Sequence, residues 1–334
     1  MKHGANIYKY AKQLNCHQDD IIDFSSNINF YQPKIEIKPT NNMLVKYADN
    51  SYKDLKKSIS KKYKIGKDKI ALYNGATSAI YELFKSLKEK RVYLYAPLYG
   101  EYEKAVAKDK KIIKINRFKE LYKKPKKGSI VVFVNPSTPD GKHYDLKRLF
   151  KIWEQRKCTI ILDESFIEFE NLKYLRNQIN YNKKLYIVQS FSKFHSCAGI
   201  RIGAIFSHKS NILKLKTPMW ALSSFDTAFL TQRLADKEFD KKSKKLHKRN
   251  KKELFKILKN SNIFDKIYKS DSNFFLTKSK KADKIFKHLL KHKILVRTCG
   301  SFDFLSNKYL RFAVKDTNSH NKLTEAFKSI KYYY

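Results

Sequence analysis

Cysteine is scarce in this chain of 334 residues, which has only four cysteines, all far apart in the sequence. No two of them have the C-x-x-C spacing of a zinc site, and four scattered thiols do not make the dense framework of a disulfide-stabilised domain. Neither a zinc site nor a disulfide scaffold is therefore expected. This usage fits a reducing compartment, and we expect a cytoplasmic location.

Long apolar runs are also missing. No stretch comes near the roughly 18 apolar residues that a membrane-spanning helix needs. The N-terminal sequence MKHGANIYKY lacks the apolar core of a signal peptide. We therefore expect no membrane partner and no export.

Acidic residues are few beside basic ones, 31 against 72, which gives a formal net charge of +41. Such a charge is typical of nucleic-acid-binding proteins, because clustered cations displace counterions from phosphate backbones. Here the lysines are spread through every segment, and arginine, the better reader of base edges, occurs only ten times. We expect no specific nucleic-acid partner, although a basic nucleic-acid-binding protein is the alternative from a different functional class.

Apolar residues are plentiful enough to form a core. The chain is 42% hydrophobic and 14% aromatic, so it can bury enough apolar surface to fold despite its charge. Its length predicts two domains, or one large α/β unit with an appendage. No stretch is rich enough in glycine, serine or proline to be a free linker.

Short apolar runs recur between stretches with the three- and four-residue spacing of amphipathic helices. These runs predict buried strands, and the alternation with helices predicts a mostly parallel sheet that is covered on both faces. After about residue 207 the sequence changes to lysine-rich helices and later strands, which predict a smaller α+β domain. The predicted strands are KIALY (69–73), RVYLYAP (91–97), SIVVFVN (129–135), TIILDE (159–164), LYIVQSF (185–191) and IRIGAIF (200–206).

Polar residues end several of these predicted strands. Asn135 and Asp163 each end one strand, and Ser190, Ser192 and Lys193 end another. In an open α/β sheet, ligands bind beyond the carboxyl ends of the strands. These side chains are therefore expected to meet at one edge of the sheet.

The sequence KIALYNGATSAI has the form of a strand, a turn and the start of a helix. Gly75 lies in the turn, and the amides of Ala76 and Thr77 open the helix. A helix N-terminus of this kind binds anions, because its first amides have no partner within the helix. A phosphate site is expected here.

A lysine, a buried acid, an asparagine and a phosphate site are the parts that pyridoxal phosphate (PLP) requires. Lys193 would bond covalently to the cofactor, and Asp163 would keep its pyridine nitrogen protonated. Asn135 would hydrogen-bond its phenolic oxygen. Thr77 and Arg201 would hold its phosphate together with the two serines.

Ten stretches carry a further signal, because they occur in order along nearly the whole chain. They are HGANIYKYA, DFSSNIN, YADNSYKDLKKSIS, YNGATSAI, YAPLYGEYEKA, VNPSTPDG, LDESFIEF, SFSKFHSCAGIRIG, VRTCGSF and YLRFAV. Together they resemble the fold-type I PLP enzymes of the threonine-phosphate decarboxylase and histidinol-phosphate aminotransferase group.

The resemblance implies an α/β fold of the PLP-dependent transferase (aspartate aminotransferase-like) type. In this fold a large domain holds a mostly parallel central sheet and is followed by a smaller α+β C-terminal domain. The implied division is an N-terminal arm over 1–45, which contributes to the small domain and the substrate site, a large PLP-binding domain over 46–235 and a small domain over 236–334.

The resemblance also implies roles for single residues. It gives Lys193 and Asp163 the roles stated above, makes Arg201 a ligand of the cofactor phosphate and stacks Tyr102 on the cofactor ring. Tyr47 matches a tyrosine that reaches into the neighbouring subunit's site. A homodimer is therefore expected.

The reaction type depends on how the substrate is held, because PLP weakens whichever α-carbon bond stands perpendicular to its ring. The opening HGAN resembles the His-Gly-Gly-Asn start of threonine-phosphate decarboxylases, with Ala5 in place of the second glycine. Phe166 stands where most aminotransferases of the group have a tyrosine. Both features favour the decarboxylases.

Arg297 and Arg311 offer two guanidinium groups, which suit a dianionic phosphate as well as a carboxylate. In the decarboxylase interpretation they hold the substrate phosphate, and the carboxylate lies near His3 and Asn29. In the aminotransferase interpretation Arg311 binds the carboxylate of an amino-acid partner, and Lys193 carries the proton shift.

We therefore predict a decarboxylase of a small anionic substrate, L-threonine phosphate or L-serine phosphate. It would give an amino-alcohol phosphate, either aminopropanol phosphate or ethanolamine phosphate, and carbon dioxide. The alternative is a PLP-dependent aminotransferase that acts on histidinol phosphate or a related amino-alcohol phosphate.

Overall fold

The computed structural model describes residue 4 and residues 6–32 and 37–330. The helices in these ranges are α1 (Ile7–Leu14), α2 (Asn41–Val45), α3 (Lys53–Tyr63), α4 (Gly75–Ser86), α5 (Glu101–Ala105), α6 (Lys147–Gln155), α7 (Lys209–Ile212), α8 (Ser224–Ala235), α9 (Lys237–Asn260), α10 (Ala282–Lys291) and α11 (Thr317–Ile330). The strands are β1 (Ile22–Asp23), β2 (Ile70–Asn74), β3 (Arg91–Ala96), β4 (Lys111–Asn116), β5 (Ile130–Val134), β6 (Thr159–Asp163), β7 (Leu185–Ser190), β8 (Ile202–Ser207), β9 (Lys266–Ile267), β10 (Phe274–Lys278), β11 (Ile294–Leu295), β12 (Arg297–Thr298) and β13 (Tyr309–Ala313).

The central sheet has seven strands in the order β2-β8-β7-β6-β5-β3-β4. Neighbouring strands from β4 to β7 run parallel, whereas β8 pairs antiparallel with both β7 and β2. The predicted α/β fold with a mostly parallel central sheet is confirmed. All six predicted strands are present in this sheet, and the seventh, β4, was not predicted.

Both faces of the central sheet are covered, as its nearly continuous apolar strands require. Every residue of β5, β6, β7 and β8 is buried. One core cluster includes Trp153 of α6, and the other includes Leu83 of α4. Packing on both faces therefore fixes the positions of the strand ends.

A second body follows in the sequence. Its four-stranded antiparallel sheet has the order β12-β13-β10-β9, and its core includes residues of α9, α10 and α11. Strand β1 of the N-terminal arm pairs with β11, with Ile22 opposite Ile294. The sheet with β9, β10, β12 and β13 is called the small sheet below. The domain boundaries at 46 and 236 stay predictions.

The longest helix is α9, with 24 residues and many lysines. Asp236 caps its N-terminus, because the Asp236 side chain accepts a hydrogen bond of 2.8 Å from the Phe239 amide. Across the described part of the chain, no helix combines the length and the apolar character that crossing a membrane demands.

Candidate active site

A cavity of about 280 Å³ lies beyond the carboxyl ends of the parallel strands. The central sheet contributes Asp163 and Lys193 to its lining, and the small sheet contributes Arg297 and Arg311. Because the strands of a parallel sheet end at one edge, the fold brings together residues that are far apart in sequence. The predicted meeting of the polar strand ends holds for Asp163, Ser190, Ser192 and Lys193, which all line this cavity.

Lys193 follows β7 and is only partly exposed. Its Nζ donates to the Ser192 hydroxyl at 3.4 Å, and its backbone oxygen accepts from the Asn29 amide at 2.9 Å. Burial lowers the pKa of Lys193 to about 8, the nearby charges of Arg201 and Arg311 act in the same direction, and Asp163 opposes them. A larger fraction of this amine is therefore neutral, and so nucleophilic, than of an ordinary lysine.

The lowered pKa predicts the pH dependence of covalent loading. We expect the rate at which pyridoxal attaches to Lys193 of the apoprotein to rise with pH and to level off above about 8, because only the neutral amine reacts. At pH 7 roughly a tenth of the amine would be neutral, against fewer than about one part in 1000 at the ordinary value. The measurement is the borohydride-trapped mass label as a function of pH.

Arg201→Gln is the matched variant for this experiment, since the Arg201 charge helps to lower the pKa of Lys193. Pyridoxal lacks the phosphate that Arg201 would bind, so the variant should shift the midpoint upward without removing a ligand contact. A wild-type midpoint near 10.5, the ordinary lysine value, would contradict the assignment.

Asp163 is the last residue of β6 and is almost fully buried. One carboxylate oxygen accepts from the Tyr102 hydroxyl at 2.8 Å, and the other accepts from the Ser165 amide at 2.9 Å. Burial raises the pKa of Asp163, whereas these hydrogen bonds and the Lys193 charge oppose the rise. The carboxylate is therefore fixed in orientation and faces a cavity that holds a cationic amine.

Tyr102 is completely buried and is held by Asp163. The tyrosine that lines the cavity is Tyr99, three residues earlier, and its hydroxyl lies 3.3 Å from the Thr77 hydroxyl. Tyr99 is therefore in a better position than Tyr102 to stack on the cofactor ring, and the sequence did not predict this role for Tyr99. The segment PLYGEY contains both tyrosines, so the sequence indicated the right segment but not which tyrosine lines the cavity.

The predicted phosphate site lies where β8 approaches the start of α4. Gly75 opens α4 with a φ of 77°, a conformation that favours glycine. A Cβ on Gly203 of β8 would lie 2.2 Å from the Ala76 nitrogen, so only glycine allows β8 to approach the start of α4. Ala76 and Thr77 both line the cavity, and their amides belong to the first turn of α4, where amides have no partner within the helix.

Three side chains complete this site. Arg201 lines the cavity, and one of its guanidinium nitrogens would lie 2.8 Å from a Cβ at Gly75. The Ser190 and Ser192 hydroxyls are 2.8 Å apart. A helix N-terminus, a guanidinium and two hydroxyls suit a phosphate group. With Lys193 and Asp163 in the same cavity, the described residues fit PLP.

Asn135 has a different environment from the one predicted. Its side chain donates to the Tyr144 carbonyl at 3.1 Å and accepts from the Tyr144 amide at 2.8 Å. It therefore closes a loop, and its contact with a cofactor stays a prediction. Two other residues of this segment, Val134 and Thr138, line the cavity.

The N-terminal arm lines part of the cavity through Gly4, Ser25, Ser26 and Asn27. Asn29 is turned away, because its amide nitrogen donates to the Phe194 carbonyl at 2.8 Å and to the Ser243 hydroxyl at 2.9 Å.

Asn27, two residues earlier, has a buried side-chain oxygen that finds no hydrogen-bond partner among the described residues. Its position makes Asn27 a better candidate than Asn29 for contact with a substrate. The predicted role of His3 falls outside the described residues.

Three side chains of the small body hold consecutive carbonyls of the arm. Arg311 donates to the Ser25 carbonyl at 3.1 Å, and Lys315 donates to the Ser26 carbonyl at 3.3 Å. Asn273 donates to the Asn27 carbonyl at 2.8 Å. The cavity-lining part of the arm is thereby fixed to the small body.

Arg297 and Arg311 are directly opposite each other in the β12–β13 pair, and both are largely buried. Arg297 donates to the Ser301 hydroxyl and Arg311 to the Thr138 hydroxyl, each at 3.0 Å. Burial lowers the pKa of both guanidiniums, that of Arg311 to about 10. Like charges opposite each other in a sheet cost stability. An anion bound beside both would offset that cost.

Two further residues lie where their environment bears on function. Phe166 lines the cavity and packs edge-on against Phe274, with ring centroids 5.2 Å apart. Tyr47 is 80% exposed and stacks on Trp220 at 4.4 Å. Tyr47 does not line the cavity of its own chain. Its contact with the site of a neighbouring subunit stays a prediction.

The fold and this cavity define a class of protein. The sequence pattern of the family described as "Aminotransferase class I and II" matches residues 19–330, and the chain belongs to this family. The cofactor is PLP, as the sequence predicted. The resemblance to the threonine-phosphate decarboxylases and histidinol-phosphate aminotransferases is confirmed as well.

Similar proteins carry both of those names. The chain is 29% identical, over 99% of its length, to 41% of the "Adenosylcobalamin biosynthesis bifunctional protein CobDQ" of Leptospira interrogans, so it spans less than half of that relative. It is 29% identical, over 98% of its length, to 94% of a "Putative threonine-phosphate decarboxylase" of Caldanaerobacter subterraneus. A solved histidinol-phosphate aminotransferase from Clostridium acetobutylicum is 27% identical, with a TM-score of 0.80 and coverage of 93% of this chain and 99% of that one.

Proposed function

We propose that this chain is a PLP-dependent decarboxylase of an O-phospho-L-amino acid, L-threonine phosphate or L-serine phosphate. The products would be an amino-alcohol phosphate, aminopropanol phosphate or ethanolamine phosphate, and carbon dioxide. The observation that carries the proposal is the pair of buried arginines, Arg297 and Arg311, that face each other and line the cavity of Lys193.

Different residues of the cavity would have different roles. Arg201 and the start of α4 would hold the cofactor phosphate, Asp163 would hold a proton on the ring nitrogen, and Lys193 would bond to the cofactor. When bound, PLP supplies an electron sink for the charge left on the α-carbon after a bond breaks. Once the substrate amine has displaced it from the cofactor, Lys193 would be free to carry a proton as its ammonium form and would donate that proton to the α-carbon in place of the departed carboxylate.

Two guanidiniums on one side of the cavity favour a dianionic phosphate as the anchored group. If the phosphate takes both arginines, the substrate carboxylate has no arginine to hold it in the cofactor plane, and it is free to leave. Phe166 supports this interpretation, because its ring cannot donate a hydrogen bond in the cavity. The similarity to a relative named putative threonine-phosphate decarboxylase over 98% of the chain supports it further.

The second candidate is an aminotransferase of histidinol phosphate or a related amino-alcohol phosphate. The solved aminotransferase with 27% identity and a TM-score of 0.80 favours it. In that interpretation Arg311 binds the carboxylate of the amino-acid partner, and Lys193 carries the proton shift. The two candidates share the cofactor site and differ in which bond breaks.

The deciding experiment compares substrates on the holoenzyme. We expect carbon dioxide from O-phospho-L-threonine or O-phospho-L-serine, with no requirement for a keto acid. L-histidinol phosphate with 2-oxoglutarate should give no glutamate. Glutamate formation without carbon dioxide release from either phosphoamino acid would replace the proposal by the second candidate.

The homodimer is also proposed. Its support is an exposed apolar patch that contains Leu44, Val45, Tyr47, Met219 and Trp220, each at least 45% exposed. Patches of this kind mark interaction sites on folded proteins. Light scattering of the purified protein measures the mass in solution, and a monomer would count against the role of Tyr47 in a neighbouring subunit.

A further inference from the structure

Strand β4 lies at one edge of the central sheet, and two basic residues in or directly after it bind loops that line the cavity. Lys114 lies within the strand, and Arg117 follows it directly. The strand pairs on one side only, with β3. Neither cation lines the PLP cavity. Both nevertheless bind loops that do.

Lys114 joins the central sheet to the small body. Its Nζ lies 2.7 Å from a carboxylate oxygen of Asp303 and 2.8 Å from one of Glu103 on α5. Burial alone would lower the pKa of Lys114, but the hydrogen bonds that its ammonium donates to both carboxylates outweigh burial and raise the pKa. Lys114 is therefore a charged bridge between α5 and the loop that contains Asp303.

That loop is part of the anion site. Ser301 accepts the hydrogen bond from Arg297 at 3.0 Å. Phe302 lines the cavity, and the Arg297 guanidinium lies 5.3 Å from the centre of its ring. Asp303 follows immediately. The position of the Arg297 side chain thus depends on a loop that Lys114 holds.

Arg117 does the same for the other arginine. Its guanidinium forms a buried ion pair with Asp140, and it donates to the Thr138 carbonyl at 3.1 Å. The Ser137 hydroxyl donates to the same Asp140 oxygen at 2.7 Å. Thr138 lines the cavity and accepts the hydrogen bond from Arg311. The position of the Arg311 side chain thus depends on a segment that Arg117 holds.

We propose that β4 positions both arginines of the anion site, through Lys114 and Asp303 for Arg297 and through Arg117 and Asp140 for Arg311. Lys114 and Arg117 are positioning residues, because each acts on the substrate through another side chain. The inference rests on the proposed function in one respect, that Arg297 and Arg311 hold the substrate anion.

The ion pairs of Lys114 and Arg117 are better explained by a role in positioning the two arginines than by a contribution to the stability of the fold. A partly exposed ion pair such as that of Lys114 adds little to the stability of a fold. A buried ion pair such as Arg117–Asp140 is weak evidence for stability, because desolvation offsets its attraction. Two nitrogens of Arg117 are also buried without a hydrogen-bond partner among the described residues. A small displacement of a substrate-orienting group, by contrast, has a large effect on reaction.

The first test is Lys114→Met in the holoenzyme. We expect KM for O-phospho-L-threonine to rise about two- to fivefold while kcat and cofactor content stay nearly unchanged, since only a partly exposed ion pair is lost. Lys114→Arg should restore the wild-type KM. Lys90→Met is the control for loss of a surface ion pair, because Lys90 forms a more exposed ion pair of 2.6 Å with Asp109, and neither residue lines the cavity.

The second test needs no substrate. Hydrogen exchange of residues 299–305 should be faster in Lys114→Met than in the wild type or in Lys90→Met, because the loop has lost its bridge. Arg117→Lys keeps a cation but loses the planar fork, and it should raise KM with the cofactor retained.

The outcomes separate this inference from the proposed function. If the enzyme transaminates L-histidinol phosphate and releases no carbon dioxide, the proposed function fails, and the KM comparison is made with that substrate. An unchanged KM and unchanged exchange in Lys114→Met would overturn the role of β4. Equal changes in Lys90→Met would overturn it as well, because they would show a general effect of surface charge.

Discussion

Lys193→Ala is expected to abolish turnover while the protein still folds and still binds PLP without a covalent bond. Among the described residues Lys193 is the lysine that lines the cavity with Asp163, and the variant removes the group proposed to transfer a proton at the α-carbon. Loss of a residue that both bonds to the cofactor and transfers protons should cost at least about 10⁴-fold in kcat. The measurements are single-turnover kinetics and the visible absorption of the loaded protein.

Lys184→Ala is the control for that variant. Lys184 immediately precedes the same strand, β7, and its Nζ donates only to the Lys157 carbonyl at 2.8 Å. Its loss should leave turnover within about twofold, as for most surface substitutions. Borohydride labelling of the wild type should mark Lys193. A label elsewhere, or residual turnover in Lys193→Ala near the wild-type rate, would remove the assignment.

Replacement of Arg297 or Arg311 by alanine is expected to have the second largest effect. Each loses a charge-assisted hydrogen bond to the substrate phosphate, worth about 1.5–3 kcal/mol. That corresponds to a loss of roughly 10- to 150-fold in kcat/KM. Arg311→Ala should be the more severe, because Arg311 also holds Thr138 and the Ser25 carbonyl. Steady-state kinetics with O-phospho-L-threonine measures both.

The unphosphorylated amino acid supplies the internal comparison. It should be a poor substrate of the wild type, and Arg297→Ala should change its kcat/KM by no more than about twofold, since it has no phosphate to lose. Arg311→Ala should impair it less than it impairs the phosphate ester, because only the contacts of Arg311 with Thr138 and the Ser25 carbonyl are lost. Arg249→Ala, at an exposed position of α9, controls for the change in net charge. If threonine lost as much as its phosphate ester, the arginines would be ligands of the carboxylate and not of the phosphate.

The sequence predicted the fold well, for a physical reason. Strands β5, β6, β7 and β8 are buried on both faces, so each appears as an unbroken apolar run. Strand β4 was missed because it is an edge strand: lysines at 111 and 114 interrupt its isoleucines, and most of its residues are only partly buried. Charged residues at a sheet edge are common, and they hide the strand from a pattern search.

The site was predicted by segment more reliably than by residue. Lys193, Asp163 and Arg201 line the cavity as expected. In three segments the predicted residue does not line the cavity, whereas near neighbours do: Val134 and Thr138 near Asn135, Ser25, Ser26 and Asn27 near Asn29, and Tyr99 near Tyr102. A loop has no fixed period, so the side that each of its residues faces is set by tertiary hydrogen bonds, such as those between Asn135 and Tyr144.

The arm also limits how the cavity opens. The Asn27 carbonyl is fixed to Asn273 of the small body, and the Asn29 amide is fixed to the Lys193 carbonyl of the large one. Only Ile28 separates these two anchors, and two residues of extended chain span at most about 7 Å. The arm is therefore a short tether between the two bodies. While both anchors hold, the two bodies cannot separate at this point, so a substrate must enter from a side of the cavity that the tether does not cross.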